Sequence, residues 1–265
     1  MKIGIVSDIH SEFWDKSDLE NVGGKIKKQV KDADIILLAG DIGNGTQAIG
    51  FANYLFSEKI VCMVAGNHEF YAGVYPDVVN DMRKASKELS INYLNRDVYI
   101  NNDWGIRVIG ATLWTDYNLY NTPEISMMHC SKYMSDFDLI KKSIYEKLTP
   151  QHCLEFHIQD KDWLQKEMDK PYDGKTIIMT HHAPVTISEH PKFVNDRNSP
   201  AFISNLDNMF TRDDIDLVVW GHTHYSVDKI FGKTRFISNQ VGYLGGLYGN
   251  GNVTETDDFG ITIEL

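Results

Sequence analysis

The run Ile35-Ile36-Leu37-Leu38-Ala39-Gly40-Asp41 decides the fold. It is continuously apolar from Ile35 to Ala39, too short for a core helix and too uniformly apolar for a strand with one wet face. It reads as a strand buried on both faces, stopping at a glycine followed by a carboxylate. The same design recurs on either side. Ile3–Val6 precedes Ser7-Asp8-Ile9-His10, and Ile60–Val64 leads into Gly66-Asn67-His68-Glu69. Thr176–Met179 precedes Thr180-His181-His182-Ala183-Pro184, and Leu217–Trp220 precedes Gly221-His222-Thr223-His224. Further short apolar runs at Ile106–Ile109, Thr234–Ile237 and Ile261–Leu265 read as strands on the same grounds.

Helical patterns lie between the early strands. Ala48, Phe51, Ala52, Leu55 and Phe56 repeat with helical spacing behind a possible cap at Asn44 or Thr46. Val78, Met82, Ala85 and Leu89 do the same after Pro76. Strand alternating with helix implies parallel strands and crossover helices, while the part after Asp216 reads as strands and turns. The expectation is an α/β protein with a mixed sheet, or two sheets face to face with helices outside. The segment from about 117 to 173 is polar, with a helix start at Thr149-Pro150 followed by Leu154, Ile158, Leu164 and Met168. It is expected to be a helical insertion near one end of the sheets, within a single domain spanning 1–265.

Composition narrows the function. The net charge of −11 argues against non-specific binding of nucleic acid, which then enters only as a substrate. Three cysteines, Cys62, Cys130 and Cys153, match neither a disulfide framework nor a zinc ribbon. No apolar run approaches the roughly 18 residues of a membrane span, and no secretory leader pattern follows Met1. A soluble, cytoplasmic protein with no membrane partner is expected.

The chemistry sits at the strand ends. Ligands of open α/β sheets bind beyond the carboxyl ends of the strands. Of the ten histidines, six fall in the five stretches quoted above. Converging imidazoles and carboxylates need a cation to neutralise and order them, and a set of N and O donors without cysteine suits Mn, Fe, Zn or Ni. In His222-x-His224 alternate residues can share one side. His181-His182 places its imidazoles on opposite sides, so one of them is the candidate ligand.

In this order and spacing, Asp-x-His, Gly-Asp, Gly-Asn-His-Glu, a strand-terminal His and Gly-His-x-His resemble the calcineurin-like metallophosphoesterases. The resemblance covers Asp8 to His224 and implies a four-layer α/β/β/α sandwich with a two-metal site. Carried over residue by residue, it implies that Asp8, His10 and His224 hold one divalent or trivalent ion. Asn67, His181 and His222 then hold the other, and Asp41 bridges them. Two divalent ions bring four positive charges against two from Asp8 and Asp41, so the site attracts a phosphate ester. The implied reaction is hydrolysis of a small phosphate ester by a metal-bound hydroxide. Asn67 would help stabilise the phosphoryl oxygens, and His68 would stand beside the leaving group, partnered by Asp41 or Glu69. Glu69 is alternatively structural, and His182 is expected to support rather than ligate.

One departure bears on the substrate. The protein phosphatase branch carries Asp-Arg soon after Gly-Asp, whereas this chain reads Gly40-Asp41-Ile42-Gly43-Asn44-Gly45. The missing arginine favours a phosphodiester. A phosphomonoesterase on a nucleotide or sugar phosphate, and a metal-binding scaffold without turnover, are the alternatives. Arg197 is a candidate replacement whose simpler reading is a solvated loop residue. Trp114, Asp116, Tyr117, Phe70 and Tyr71 are candidates to border the site, with packing the simpler role. The glycine-rich run from Gly242 to Gly251 lacks the context of a phosphate-binding loop and reads as a turn or loop.

Overall fold

The computed structural model describes residues 1–244 and 259–265. The chain opens with β1 (Lys2–Val6), β2 (Ile35–Leu38), β3 (Ile60–Met63) and β4 (Asn92–Tyr93). These four lie side by side and parallel. Next come β5 (Asp97–Asn101) and β6 (Ile106–Gly110), then a small ribbon of β7 (Lys141–Ser143) and β8 (Glu146–Lys147). They are followed by β9 (Lys175–Met179), β10 (Leu217–Trp220), β11 (Val227–Phe231) and β12 (Thr234–Ser238). The second sheet runs β11-β12-β10-β9-β6-β5, parallel at its centre with antiparallel edges. Finally β13 (Ile261–Glu264) returns to the first sheet, antiparallel to β1. Both sheets are therefore mixed.

Alternation along each strand builds the layers. Ile35 and Leu37 point between the sheets, where they join Ile3, Ile5, Val64, Val108, Ile177, Met179 and Val219. Ile36 and Leu38 point the other way, onto Val22, Ile26, Ala48, Ala52 and Met82. Those residues come from α1 (Lys16–Gln29), α2 (Gly45–Phe56) and α3 (Tyr75–Glu88). On the far side, Ile178, Val218 and Phe236 of the second sheet pack on Leu164 and Met168. The order is helix, sheet, sheet, helix, as expected, and it explains why the strand runs are continuously apolar. Each fully buried Ile or Leu contributes about 1.5–3 kcal/mol.

The helix α1 is absent from the sequence reading. Its stretch is polar and carries Gly23-Gly24, so its apolar stripe is narrow. It is held by a capping box instead: the Asp15 side chain accepts from Asp18 N–H at 2.9 Å, and Asp18 accepts from Asp15 N–H at 3.1 Å. Between β6 and β9 the chain forms α4 (Pro123–Tyr133), α5 (Asp136–Leu139) and α6 (Pro150–Met168), with the β7–β8 ribbon among them. Thr149 caps α6 by accepting from His152 N–H at 3.3 Å. A last short helix, α7 (Asp207–Phe210), precedes β10. Among the described residues no helix is long and apolar enough to cross a membrane.

Candidate metal centre

All five strand-end stretches converge on one edge of the two sheets. Asp8, His10 and His224 form a group whose ligand atoms lie within 4.8 Å of one another, and Asp41, His181 and His222 form a second. His10 Nε2 faces His224 Nε2 at 3.1 Å, and His181 Nε2 faces His222 Nδ1 at 3.2 Å. The Asn67 amide oxygen stands 3.1 Å from His181 Nε2. Asp41 Oδ1 is 3.4 Å from that nitrogen, and Asp8 Oδ1 is 3.4 Å from His224 Nε2. The seven sequence-derived ligand candidates are thus brought together. His182 is turned away, buried between Trp114 (ring centroids 4.9 Å) and His222 (4.3 Å).

The local backbone makes this convergence possible. Asp8, His10, Asp41, His222 and His224 all adopt left-handed conformations, with φ between 47° and 68°. Non-glycine residues enter that region rarely, and functional sites are where such strain collects. Two glycines create the space: a Cβ on Gly40 (φ 87°) would strike His181, and one on Gly66 would strike both Asp41 and His181.

Supporting bonds orient the donors. His181 Nδ1 lies 2.8 Å from the Ala39 carbonyl, which fixes its proton there and leaves Nε2 as the donor atom. Asp8 accepts from His222 N–H at 2.9 and 3.0 Å and from Ser7 Oγ at 2.5 Å. Glu69 is fully buried, and its carboxylate accepts from the N–H groups of Asp41 (2.9 Å), Ile42 (2.7 Å), Gly43 (3.4 Å) and Gly66 (2.6 Å). It clamps the loops after β2 and β3 together, which is a structural role. Asp41 is one expected partner of His68, its carboxylate 4.0 Å from His68 Nε2, but the nearer one is a residue the sequence did not single out: Glu12, whose Oε1 lies 2.7 Å from His68 Nδ1. Glu12 is also 3.5 Å from His10 Nδ1. A second unexpected residue is Asp136 on α5. Its Oδ1 accepts from Asn67 Nδ2 and from the Tyr71 hydroxyl, each at 2.8 Å. Asn67 Nδ2 is also 3.2 Å from that hydroxyl, so donation to a phosphoryl oxygen requires one of these bonds to yield.

The electrostatics suit a cation. Burial holds His10 and His222 below the ordinary histidine value, so they remain neutral, the form that ligates metal. Burial pushes the Asp41 carboxyl up, but His181 and His68 outweigh it and hold Asp41 well below the usual range. Burial likewise lowers His181 and His68, and is overcome: Asp41 raises both, to about 9, with Glu12 adding to the effect at His68. A bound cation reverses that field at His181. Buried, convergent N and O donors, locked from behind, with His10 Nδ1 and His222 Nε2 left without a hydrogen-bond partner among the described residues, fit a pair of metal ions.

The surrounding candidates divide. Tyr71 borders the site, its ring 4.1 Å from that of His68. Phe70 and Trp114 are packing residues: Phe70 stacks on Tyr75 (ring centroids 4.4 Å), and Trp114 lies tilted against Phe70, Tyr75 and Phe156. Tyr117 is buried in the same core, and Asp116 N–H donates to Ser204 Oγ at 3.3 Å. Arg197 is exposed. Of the glycine-rich run, residues 245–251 lie outside the described residues. Its first part adds Tyr243, which stacks on His10 (ring centroids 4.3 Å) and places its hydroxyl 3.1 Å from His68 Nε2.

Comparison with known proteins agrees with this geometry. The family model for calcineurin-like phosphoesterases matches residues 1–226. An uncharacterized protein of Acanthamoeba polyphaga mimivirus is 29% identical over 265 residues, covering 90% of each chain. Among solved structures, the phosphopantetheinyl hydrolase of Mycobacterium tuberculosis superposes with a TM-score of 0.71 at 15% identity, covering 99% of this chain and 95% of that one. A Staphylococcus aureus protein described as a putative 5'-nucleotidase gives a TM-score of 0.52 at 17% identity, covering 90% of this chain and 48% of its own. At these identities the two structures speak for the fold.

Proposed function

This chain belongs to the calcineurin-like phosphoesterase family of metal-dependent hydrolases, and from that premise we propose that it cleaves a phosphodiester at two adjacent metal ions. The observation that carries the reading is the place of Asp41. Its carboxylate is within ligand reach of His181 and His222 on one side and of His10 and His68 on the other. Asp8, His10 and His224 would hold one ion, Asn67, His181 and His222 the other, with Asp41 shared. When bound, the ions supply positive charge for the phosphoryl oxygens and acidify water enough for attack near neutral pH.

The chain's own residues do the remainder. Glu12 anchors His68 Nδ1, so the ring presents Nε2 to the cleft. The Glu12 carboxylate 2.7 Å from Nδ1 favours the imidazolium form of His68, which can give its Nε2 proton to the departing alkoxide. The Tyr243 hydroxyl beside that nitrogen marks the position a leaving oxygen must reach. Asp136 holds the Asn67 amide with its oxygen toward His181. The diester preference follows from charge. A monoester dianion asks for a further cation, yet the loop directly after Asp41, Ile42-Gly43-Asn44-Gly45, holds no arginine and Arg197 is exposed.

The test is an assay of the Mn-supplemented protein on bis(p-nitrophenyl) phosphate and p-nitrophenyl phosphate. Faster turnover of the diester is expected. A preference for the monoester would reassign the substrate class. No turnover of either with Mn, Fe, Zn, Ni or Co would overturn the catalytic reading.

A further inference from the structure

A cavity of about 300 Å³ opens beside the His222 side of the centre, built mainly by the loop between β9 and β10. The loop is pinned in place. Ala183 N–H donates to the Phe202 carbonyl at 3.1 Å, and Ser204 N–H donates to the Ala183 carbonyl at 2.9 Å. Asp207 accepts from Thr186 N–H at 2.8 Å and from its hydroxyl at 2.6 Å. The cavity adjoins the ligand cluster directly: the Phe202 ring stacks on His222 with centroids 4.5 Å apart, and Thr223, between His222 and His224, forms part of the wall.

The lining states what fits. Phe193 and Phe202 offer flat apolar surface. Ser188 is fully buried, and its Oγ and the Oδ1 of Asn198 have no hydrogen-bond partner among the described residues. Such atoms call for a polar ligand. Glu189 and Asp196 contribute carboxylates, His190 is the one imidazole, and no lysine or arginine is among the described lining residues, so the lining favours an uncharged group over a second phosphate. His68 stands elsewhere, in the company of Glu12, His10, Phe13 and Tyr243. The leaving alcohol belongs on that side.

We propose that the cavity binds the alcohol that stays on phosphorus: an uncharged, ring-bearing, hydroxyl-carrying group of the nucleoside class. The inference rests on the phosphodiesterase reading above. Water adds to phosphorus and gives up a proton to solvent, the P–O bond beside His68 breaks, the alkoxide takes the His68 Nε2 proton and leaves as the alcohol, and the monoester stays seated by its retained group until it is released.

The experiment compares two diesters with one leaving group, thymidine 5'-(p-nitrophenyl phosphate) and methyl p-nitrophenyl phosphate, in the Mn-loaded protein. The thymidine ester is expected to show a kcat/KM at least about tenfold higher. In Phe193→Ala and Asn198→Ala that ratio should fall toward one. Because it is taken within one protein, it does not depend on the fraction folded. Saturation-transfer NMR with thymidine alone should show binding to the parent protein and its loss in both variants. Hydrolysis of both esters at equal kcat/KM, or thymidine binding unchanged in both variants, overturns the subsite and leaves the diesterase reading standing. Hydrolysis of neither ester overturns that reading and the subsite with it.

Discussion

Asp8, His10 and His224 all hold left-handed backbone conformations, with φ of 50°, 52° and 47°. Of Asn67, His181 and His222 only His222 does, at 68°. The second cluster is instead held by its neighbours: the Ala39 carbonyl behind His181, and Asp136 and Tyr71 behind Asn67. It is also the drier of the two, since the His181 side chain is wholly buried while that of His224 is 17% exposed. The first cluster thus combines three left-handed residues with the more open rim, and its Asp8 is held by the distant His222 N–H. The other is shaped by hydrogen bonds brought from distant segments. Strained left-handed residues cost roughly 1–2 kcal/mol each, so the first cluster should exchange its ion more readily.

The largest effect is expected where the clusters meet. Asp41→Asn should release both ions and lower kcat/KM by roughly a thousandfold or more, at least about 4 kcal/mol of barrier lowering, with metal content read by elemental analysis. Loss of one ion alone would mean that Asp41 serves a single cluster. His68→Ala should retain both ions while kcat drops about a hundredfold or more. A fall in metal content there would turn His68 into a ligand, a role its position near His10 and Asp41 allows. Asp136→Ala should weaken only the second position, by about 10–100-fold in metal affinity. If titration shows both positions weakened alike, the contrast drawn above fails. The smallest effect is the ranking itself: graded chelation of the parent protein should remove one ion before the other, and His224→Ala should abolish the early-released step and spare the late one.

Much of this was legible because burial on both faces leaves a plain mark. The runs Ile35–Ala39 and Leu217–Trp220 are apolar at every position, and their flanking Gly, Asp and His residues stand out by contrast. All eight expected strands are present, and α2, α3 and α6 lie where helices were expected, but the expected stripe holds fully only in α2: Leu89 caps α3 from outside and is exposed, and in α6 Ile158 is exposed while Cys153, Phe156 and Asp160 turn inward beside Leu164 and Met168. Helix α1 was hidden because a polar helix with two adjacent glycines carries little periodic signal. The available clue was local, aspartates spaced for a capping box at Asp15 and Asp18. Glu12 was hidden differently. It sits two residues beyond His10 but acts on His68, 56 positions later, so only the docking of the loops after β1 and β3 makes them partners.

By itself, then, the sequence determined which strands are buried, which polar residues end them, and in what order those ends occur. Hydrophobic continuity and strand length are local properties, and they are written into consecutive residues. The tertiary structure alone decided what supports the candidate ligands. Glu69 became a clamp across two loops, Glu12 took His68, and Asp136 reached Asn67 from 69 residues away. A buried carboxylate must find its donors somewhere, and where it finds them is set by packing between segments distant in the chain.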